Sequence, residues 1–149
     1  MTAHPDSYPH VLIVDDDKRL RELLSSFLST HECRVSAVDG ARQARLKMQG
    51  MAFDLIVLDV MMPQESGVEF ARSLREAGNN VPILMLSALS DTEDRIAGLT
   101  AGVDDYLPKP FEPEQLLDLV SATFDRRAAR AARTRRRGPN EKGRGANMS

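Results

Sequence analysis

The sequence has one cysteine, Cys33, in 149 residues. That excludes an internal disulfide and a cysteine-rich zinc site, and it suits a reducing, cytoplasmic setting. Long apolar runs are also missing. The longest are strand-sized, far short of the ~20 residues that span a bilayer, so no membrane span is expected. Met1 to Pro9 has no basic stretch leading into a long apolar run, which speaks against a secretory signal there. Neither a G-x-x-x-x-G-K-[ST] loop nor a G-x-G-x-x-G turn follows the first apolar run, which counts against a nucleotide-binding protein. No repeat of solenoid length is present. His4, His10 and His31 lack metal or triad spacing and read as structural or exposed. Met48, Met51, Met61, Met62 and Met85 lack a repeated short spacing and read as core and loop packing.

Hydrophobic residues make up 42% of the chain, enough for one core of ordinary size. The formal net charge of −2 conceals a division. Residues 1–125 hold 11 Lys+Arg against 21 Asp+Glu, a net of −10, and residues 126–149 hold 9 against 1, a net of +8. An acidic domain is therefore followed by a basic segment, and the two call for separate explanations.

Short apolar runs alternate with amphipathic stretches. Strands are predicted over His10–Asp15, Cys33–Val38, Asp54–Asp59, Pro82–Ser87 and Asp104–Leu107. Helices are predicted over Lys18–Thr30, with Leu20, Leu23, Leu24, Phe27 and Leu28 on one face, and over Ala41–Gln49, stopped by Gly50. A third runs from a Ser66 cap to Ala77, closed by Gly78. A fourth spans Asp91–Ala101 behind a Ser90-x-x-Glu93 capping box, closed by Gly102. The last opens at Pro113 and runs towards Arg127. Five strand–helix pairs in strict alternation, with continuous apolar strands, predict an α/β fold: a parallel sheet with helices on both faces. In such sheets the ligand crevice lies beyond the carboxyl ends of the strands.

The residues at those ends are unusual. The first strand ends in Asp15, Asp16 and Asp17, the third in Asp59 and the fourth in Ser87, and Lys109 follows the fifth. Asp17 is well placed to cap the helix beginning at Lys18. Gathered carboxylates repel one another, and a fold tolerates that mainly where a cation is present. An all-oxygen set with incomplete carboxylate supply suits Mg²⁺, which keeps waters and shares its shell with phosphate. Asp15-x-Asp17 resembles the aspartyl nucleophile motif of dehalogenase-type phosphatases. There a small apolar residue and Thr follow, whereas Lys18 and Arg19 follow here, and no sequence remains for a cap domain.

Taken together, Val11-Leu-Ile-Val-Asp-Asp-Asp17, Asp54-Leu-Ile-Val-Leu-Asp-Val-Met-Met-Pro-Gln-Glu-Ser-Gly67, Ile83-Leu-Met-Leu-Ser-Ala88 and Gly102-Val-Asp-Asp-Tyr-Leu-Pro-Lys-Pro-Phe111 resemble the receiver domain of bacterial two-component response regulators. The resemblance covers about residues 10–126. It implies a flavodoxin-like (βα)5 fold with strand order 2-1-3-4-5. It implies a phosphorylation switch rather than an enzyme, with Asp59 taking a phosphoryl group from a sensor histidine kinase or a small phosphodonor. Asp16, Asp59 and the Met61 backbone carbonyl would bind Mg²⁺ directly, and Asp15 through a water. Ser87 and Lys109 would contact the phosphoryl oxygens, and Tyr106 would turn inward as Ser87 moves. The Lys109-Pro110 peptide would be cis. Met61 and Leu89 would hinder attacking water.

Glu93-Asp94-Arg95, Ala97-Gly98-Leu99 and Asp104-Asp105-Tyr106 resemble the receivers of winged-helix transcription regulators. That likeness implies a phosphorylation-dependent homodimer through residues 91–126, with Arg95, Asp104, Asp105 and Arg126 in salt bridges. Gln115 and Leu119 depart from that pattern. About two dozen residues follow Asp125, too few for a winged-helix effector. Residues 1–9 are expected to be flexible, and residues 127–149 to form a basic, largely disordered tail after one or two further helical turns, ended by Gly138-Pro139. Its Arg run has the charge for nucleic acid, though no aromatic side chain accompanies it.

Overall fold

The computed structural model describes residues 7–88 and 92–148. Five strands, β1 (His10–Val14), β2 (Arg34–Val38), β3 (Leu55–Asp59), β4 (Ile83–Ala88) and β5 (Asp105–Lys109), alternate with five helices, α1 (Lys18–Ser29), α2 (Ala41–Gly50), α3 (Gly67–Glu76), α4 (Thr92–Ala101) and α5 (Pro113–Met148). The strands form one parallel sheet in the order β2-β1-β3-β4-β5. This is the flavodoxin-like arrangement that the sequence suggested.

Residue alternation within the apolar strands divides the core into two layers. Val11, Ile13, Leu55, Val57, Leu84 and Leu86 face Leu24 and Leu28 of α1 and Leu116 and Val120 of α5. Leu12, Val14, Ile56, Leu58, Ile83 and Met85 face Ala41 and Ala44 of α2, Phe70 and Leu74 of α3 and Ala101 of α4. Because both sheet faces are covered, every position from Val11 to Val14 and from Ile83 to Leu86 is fully buried. That explains why these strands read as unbroken apolar runs.

Local signals place the helix ends. Asp17 caps α1 and accepts from the Leu20 amide. Ser66 caps α3 and forms a reciprocal capping box with Glu69. Gly78 and Gly102 follow α3 and α4 with φ of 82° and 98°, left-handed values that suit glycine.

Some expectations are corrected. Leu23 lies half exposed at 52%, off the buried stripe of α1, because its neighbours Leu24 and Leu28 fill the contact with the sheet. On the edge strand β2, Ala37 is exposed while Cys33 and Val38 are buried, since an edge strand is covered on fewer sides. β5 runs on to Lys109, two residues past the Leu107 end that the sequence suggested. The Tyr8 carbonyl accepts from Arg34 Nε, and the Pro9 carbonyl accepts from the Arg34 amide. Helix α5 runs on past Arg127 through the Ala- and Arg-rich stretch, where one or two further turns were expected. Ala and Arg over 126–137 are good helix formers and carry the helix beyond the sheet. The Ser90 cap, the Asp91 helix start, Leu89 and His4 lie outside the described residues.

Candidate functional site

The crevice forms where β1, β3 and β5 end. It is an open cleft of about 690 Å³ lined by Asp15, Asp16, Asp59, Met61, Lys109 and Phe111, among others. Asp15 and Asp59 are 0% and 4% exposed, whereas Asp16 faces solvent. One carboxylate oxygen from each of the three lies within 4.8 Å of the others. Three acids at the ends of separate or successive apolar segments are thus brought to one point.

Each acid has a distinct setting. Asp15 accepts from the Asp17 amide at 2.9 Å, so capping of α1 and orientation of Asp15 are linked. Arg21 reaches back from α1 to the Asp15 carbonyl at 2.9 Å. Asp59 is pushed up to about 6, first by burial and then by the Asp15 charge, while Lys109 opposes the shift. Lys109 Nζ donates to Asp59 Oδ1 at 3.0 Å and to Asp15 Oδ2 at 3.4 Å. Burial works against the Lys109 charge, but the bond to Asp59 and the two carboxylates outweigh it and hold the ammonium above its ordinary value. The Lys109-Pro110 peptide is cis, as the resemblance implied.

Gly67 allows the loop after β3 to close. Its amide donates to the Val60 carbonyl at 2.9 Å. A Cβ at Gly67 would collide with the Asp59 carbonyl oxygen, so a larger residue there would push α3 away from the strand that ends in Asp59.

Ser87 is buried on β4, and its Oγ approaches the Ala88 carbonyl at 3.5 Å. Tyr106 on β5 is half-buried; its hydroxyl donates to the same carbonyl at 3.3 Å, and the Arg95 guanidinium lies 5.3 Å from its ring centre. Met61 stands exposed at 68% on the rim.

The charged residues proposed for a dimer face are largely engaged within the chain. Asp104 accepts from Arg75 at 3.0 Å and from the Ile83 amide at 2.8 Å. Arg126 approaches Asp105 at 3.9 Å. His10 is a buried structural residue whose Nε2 lies 2.9 Å from Ser36 Oγ, and His31 sits exposed in a turn.

Three features beside this cleft were incompletely read or missed in the sequence. The Ser66 cap was named but not its Glu69 partner, although the Ser66-x-x-Glu69 capping box stands in the sequence. The need for glycine at position 67 had no local signal beyond the residue itself. The Arg45–Glu65 ion pair had none, because 20 positions separate its partners.

An open parallel sheet with an acidic crevice and a facing lysine defines the class, and the comparisons agree. Residues 11–121 match the response regulator receiver domain, and the chain belongs to that family. It is 51% identical to Protein PetR of Rhodobacter capsulatus over 126 residues, covering 85% of this chain and 52% of PetR. It is 44% identical to Response regulator MprA of Mycolicibacterium vanbaalenii over 116 residues, covering 78% and 50% respectively. The chain thus spans about half the length of the curated relatives it matches. Among solved structures, the receiver domain of the Francisella response regulator 1452 superposes with a TM-score of 0.75 at 34% identity, covering 79% of this chain and 98% of that one. The receiver domain of the TMAO respiratory system response regulator TorR gives a TM-score of 0.75 at 36% identity, covering 79% and 98%. Among the described residues no helix is long and apolar enough to cross a membrane.

Proposed function

We propose that this receiver domain is a two-component phosphorylation switch, with Asp59 as phosphoacceptor. The observation that carries the reading is the Asp15–Asp16–Asp59 cluster with Lys109 Nζ seated on two of its members. An Asp59 carboxylate oxygen would form the new O–P bond as the P–N bond of a phosphohistidine breaks, and the electron pair would leave with the imidazole nitrogen. The product is an acyl phosphate on Asp59.

The donor set fits a hard dication. Three carboxylates offer oxygens at one point, and a loop backbone follows at Met61. Asp16, Asp59 and the Met61 carbonyl would hold Mg²⁺, with Asp15 reached through a water. When bound, the ion neutralises charge on the acceptor and on the transferring group. The chain's own residues do the rest. Asp59 supplies the attacking oxygen, and its burial keeps competing water away. The Lys109 ammonium, already within reach of Asp59, would stabilise the phosphoryl oxygens, and Ser87 would donate to one of them.

Phosphorylation adds about −1.5 to −2 charge units. Drawing Ser87 towards the new oxygens would withdraw it from the Ala88 carbonyl, the acceptor that also holds Tyr106. The response would then be read on the face of α4, β5 and α5. The partner that supplies the phosphoryl group would be a sensor histidine kinase, and the setting cytoplasmic. The likeness of Glu93-Asp94-Arg95, Ala97-Gly98-Leu99 and Asp104-Asp105-Tyr106 to the receivers of winged-helix regulators supports transcription regulation as the output. Among the described residues no observation favours a homodimer through residues 91–126 or nucleic-acid binding by the basic segment.

The direct test is incubation with acetyl phosphate and Mg²⁺, followed by intact-mass measurement. One added phosphoryl group, absent in Asp59→Asn, is the expected result. An unmodified protein under those conditions would overturn the proposal.

A further inference from the structure

The loop from Met61 to Ser66 joins the end of β3 to α3. Its base is closed by the Gly67 amide on the Val60 carbonyl, and a tight turn is closed by the Glu65 amide on the Pro63 carbonyl at 2.8 Å. Between them Gln64 adopts a φ of 73°, a left-handed value that a residue with a side chain adopts only at a cost. Something outside the loop must hold it in this shape.

Arg45, on α2, makes that connection. Its Nη1 and Nη2 donate to the two carboxylate oxygens of Glu65 at 2.6 and 2.7 Å. Nη2 also donates to Ser73 Oγ on α3 at 2.9 Å, and Ser73 Oγ in turn donates to the Phe70 carbonyl at 2.7 Å. The guanidinium lies 5.0 Å from the centre of the buried Phe70 ring. Both partners of the ion pair are partly screened from solvent, with side chains 42% and 29% exposed. A forked, stacked and triply bonded guanidinium is a rigid strut, unlike a surface pair that contributes little. It ties α2, the loop that begins at Met61 and α3 together.

We propose that Arg45 is a positioning residue for the cation site: it fixes the loop that carries Met61 and so sets the affinity for Mg²⁺. The inference rests on the proposed role of Met61 as a ligand. It extends that role to two residues, Arg45 and Glu65, that do not touch the site. The expected sign of the effect is diagnostic. Arg45 is a cation that is not among the charges shifting Asp59, so its removal by electrostatics alone would leave Mg²⁺ binding unchanged or slightly tighter. A positioning role predicts weaker binding.

The experiment is calorimetric titration of the unphosphorylated chain with Mg²⁺, comparing wild type, Arg45→Ala, Arg45→Lys, Glu65→Ala and Arg45→Ala/Glu65→Ala. The dissociation constant should rise roughly tenfold in Arg45→Ala, the lower end of what loss of an outer-shell support costs. Arg45→Lys should recover part of that, because a point donor cannot reproduce the fork. The double variant should match Arg45→Ala rather than add to it. Ser73→Ala, which removes one bond of the strut and leaves the ion pair, should shift the constant in the same direction by less, and it serves if Arg45→Ala does not stay folded. An unchanged or tighter Mg²⁺ constant in folded Arg45→Ala, or in Ser73→Ala if Arg45→Ala does not fold, would overturn the inference. Phosphorylation by acetyl phosphate is followed separately, so failure of wild type to accept phosphate would count against the switch without being mistaken for failure of the strut.

Discussion

Ser87 and Tyr106 share one acceptor. The Ser87 hydroxyl lies 3.5 Å and the Tyr106 hydroxyl 3.3 Å from the carbonyl oxygen of Ala88. A change at Ser87 therefore bears directly on the acceptor of the Tyr106 hydroxyl. In a Tyr8→Phe background Tyr106 is the only tyrosine left, and its fluorescence reports this site. Acetyl phosphate with Mg²⁺ should change that emission. Ser87→Ala should remove most of the change while the phosphorylated fraction stays near wild type. An equal change in the Ser87→Ala protein would show that the two hydroxyls are not coupled.

The raised Asp59 carboxyl has a defined consequence for stability. Its pKa moves from 3.8 to about 6 in the fold, so the protonated form is favoured there. The stabilisation is complete below about pH 4 and is lost as pH rises through about 6. In Mg²⁺-free buffer Asp59→Asn should be the more stable protein at pH 8, by on the order of 2–3 kcal/mol, and the difference should shrink towards pH 4. Urea unfolding at both pH values measures it.

Lys109 touches both buried acids at 3.0 and 3.4 Å, and so competes with a dication for the same oxygens. Lys109→Met should bind Mg²⁺ more tightly, yet accept phosphate from acetyl phosphate much more slowly, because the ammonium no longer meets the transferring group. Calorimetry and intact-mass kinetics on one preparation separate the two effects. A slower reaction with weaker Mg²⁺ binding would contradict the assignment of Lys109 to the phosphoryl oxygens.

At Gly67 even one methyl group meets the Asp59 carbonyl oxygen. Gly67→Ala should cost about 1–3 kcal/mol, as overpacking does, measured by urea unfolding. Part of that strain should appear as a lower phosphorylation rate, since the displaced backbone is that of Asp59 itself.

Much of this was legible in the linear chain. Apolar runs such as Leu55–Leu58 are continuous because the sheet is covered on both faces, so they could be recognised before their neighbours were known. Asp59, Asp15 and Ser87 stand out at the ends of such runs, and the rule that ligands bind beyond strand carboxyl ends joins them. Asp17 and Pro113 announced helix starts through chemistry that acts within three residues. The α1 stripe was read one residue too wide at Leu23, because periodicity ranks faces without knowing how much of each is covered.

Contacts between distant segments were decided only in three dimensions. The sequence names the acids, but packing buried Asp59 beside Asp15 and seated Lys109 between them, and that arrangement sets the carboxyl near 6. The grip of Arg45 on Glu65, 20 residues away, left no periodic trace, because an ion pair between two helix-loop units depends on how those units dock. Local pattern determined the alternating fold and the residues of the cleft. Tertiary packing determined their charge states, their shared acceptors and the strut that holds the loop.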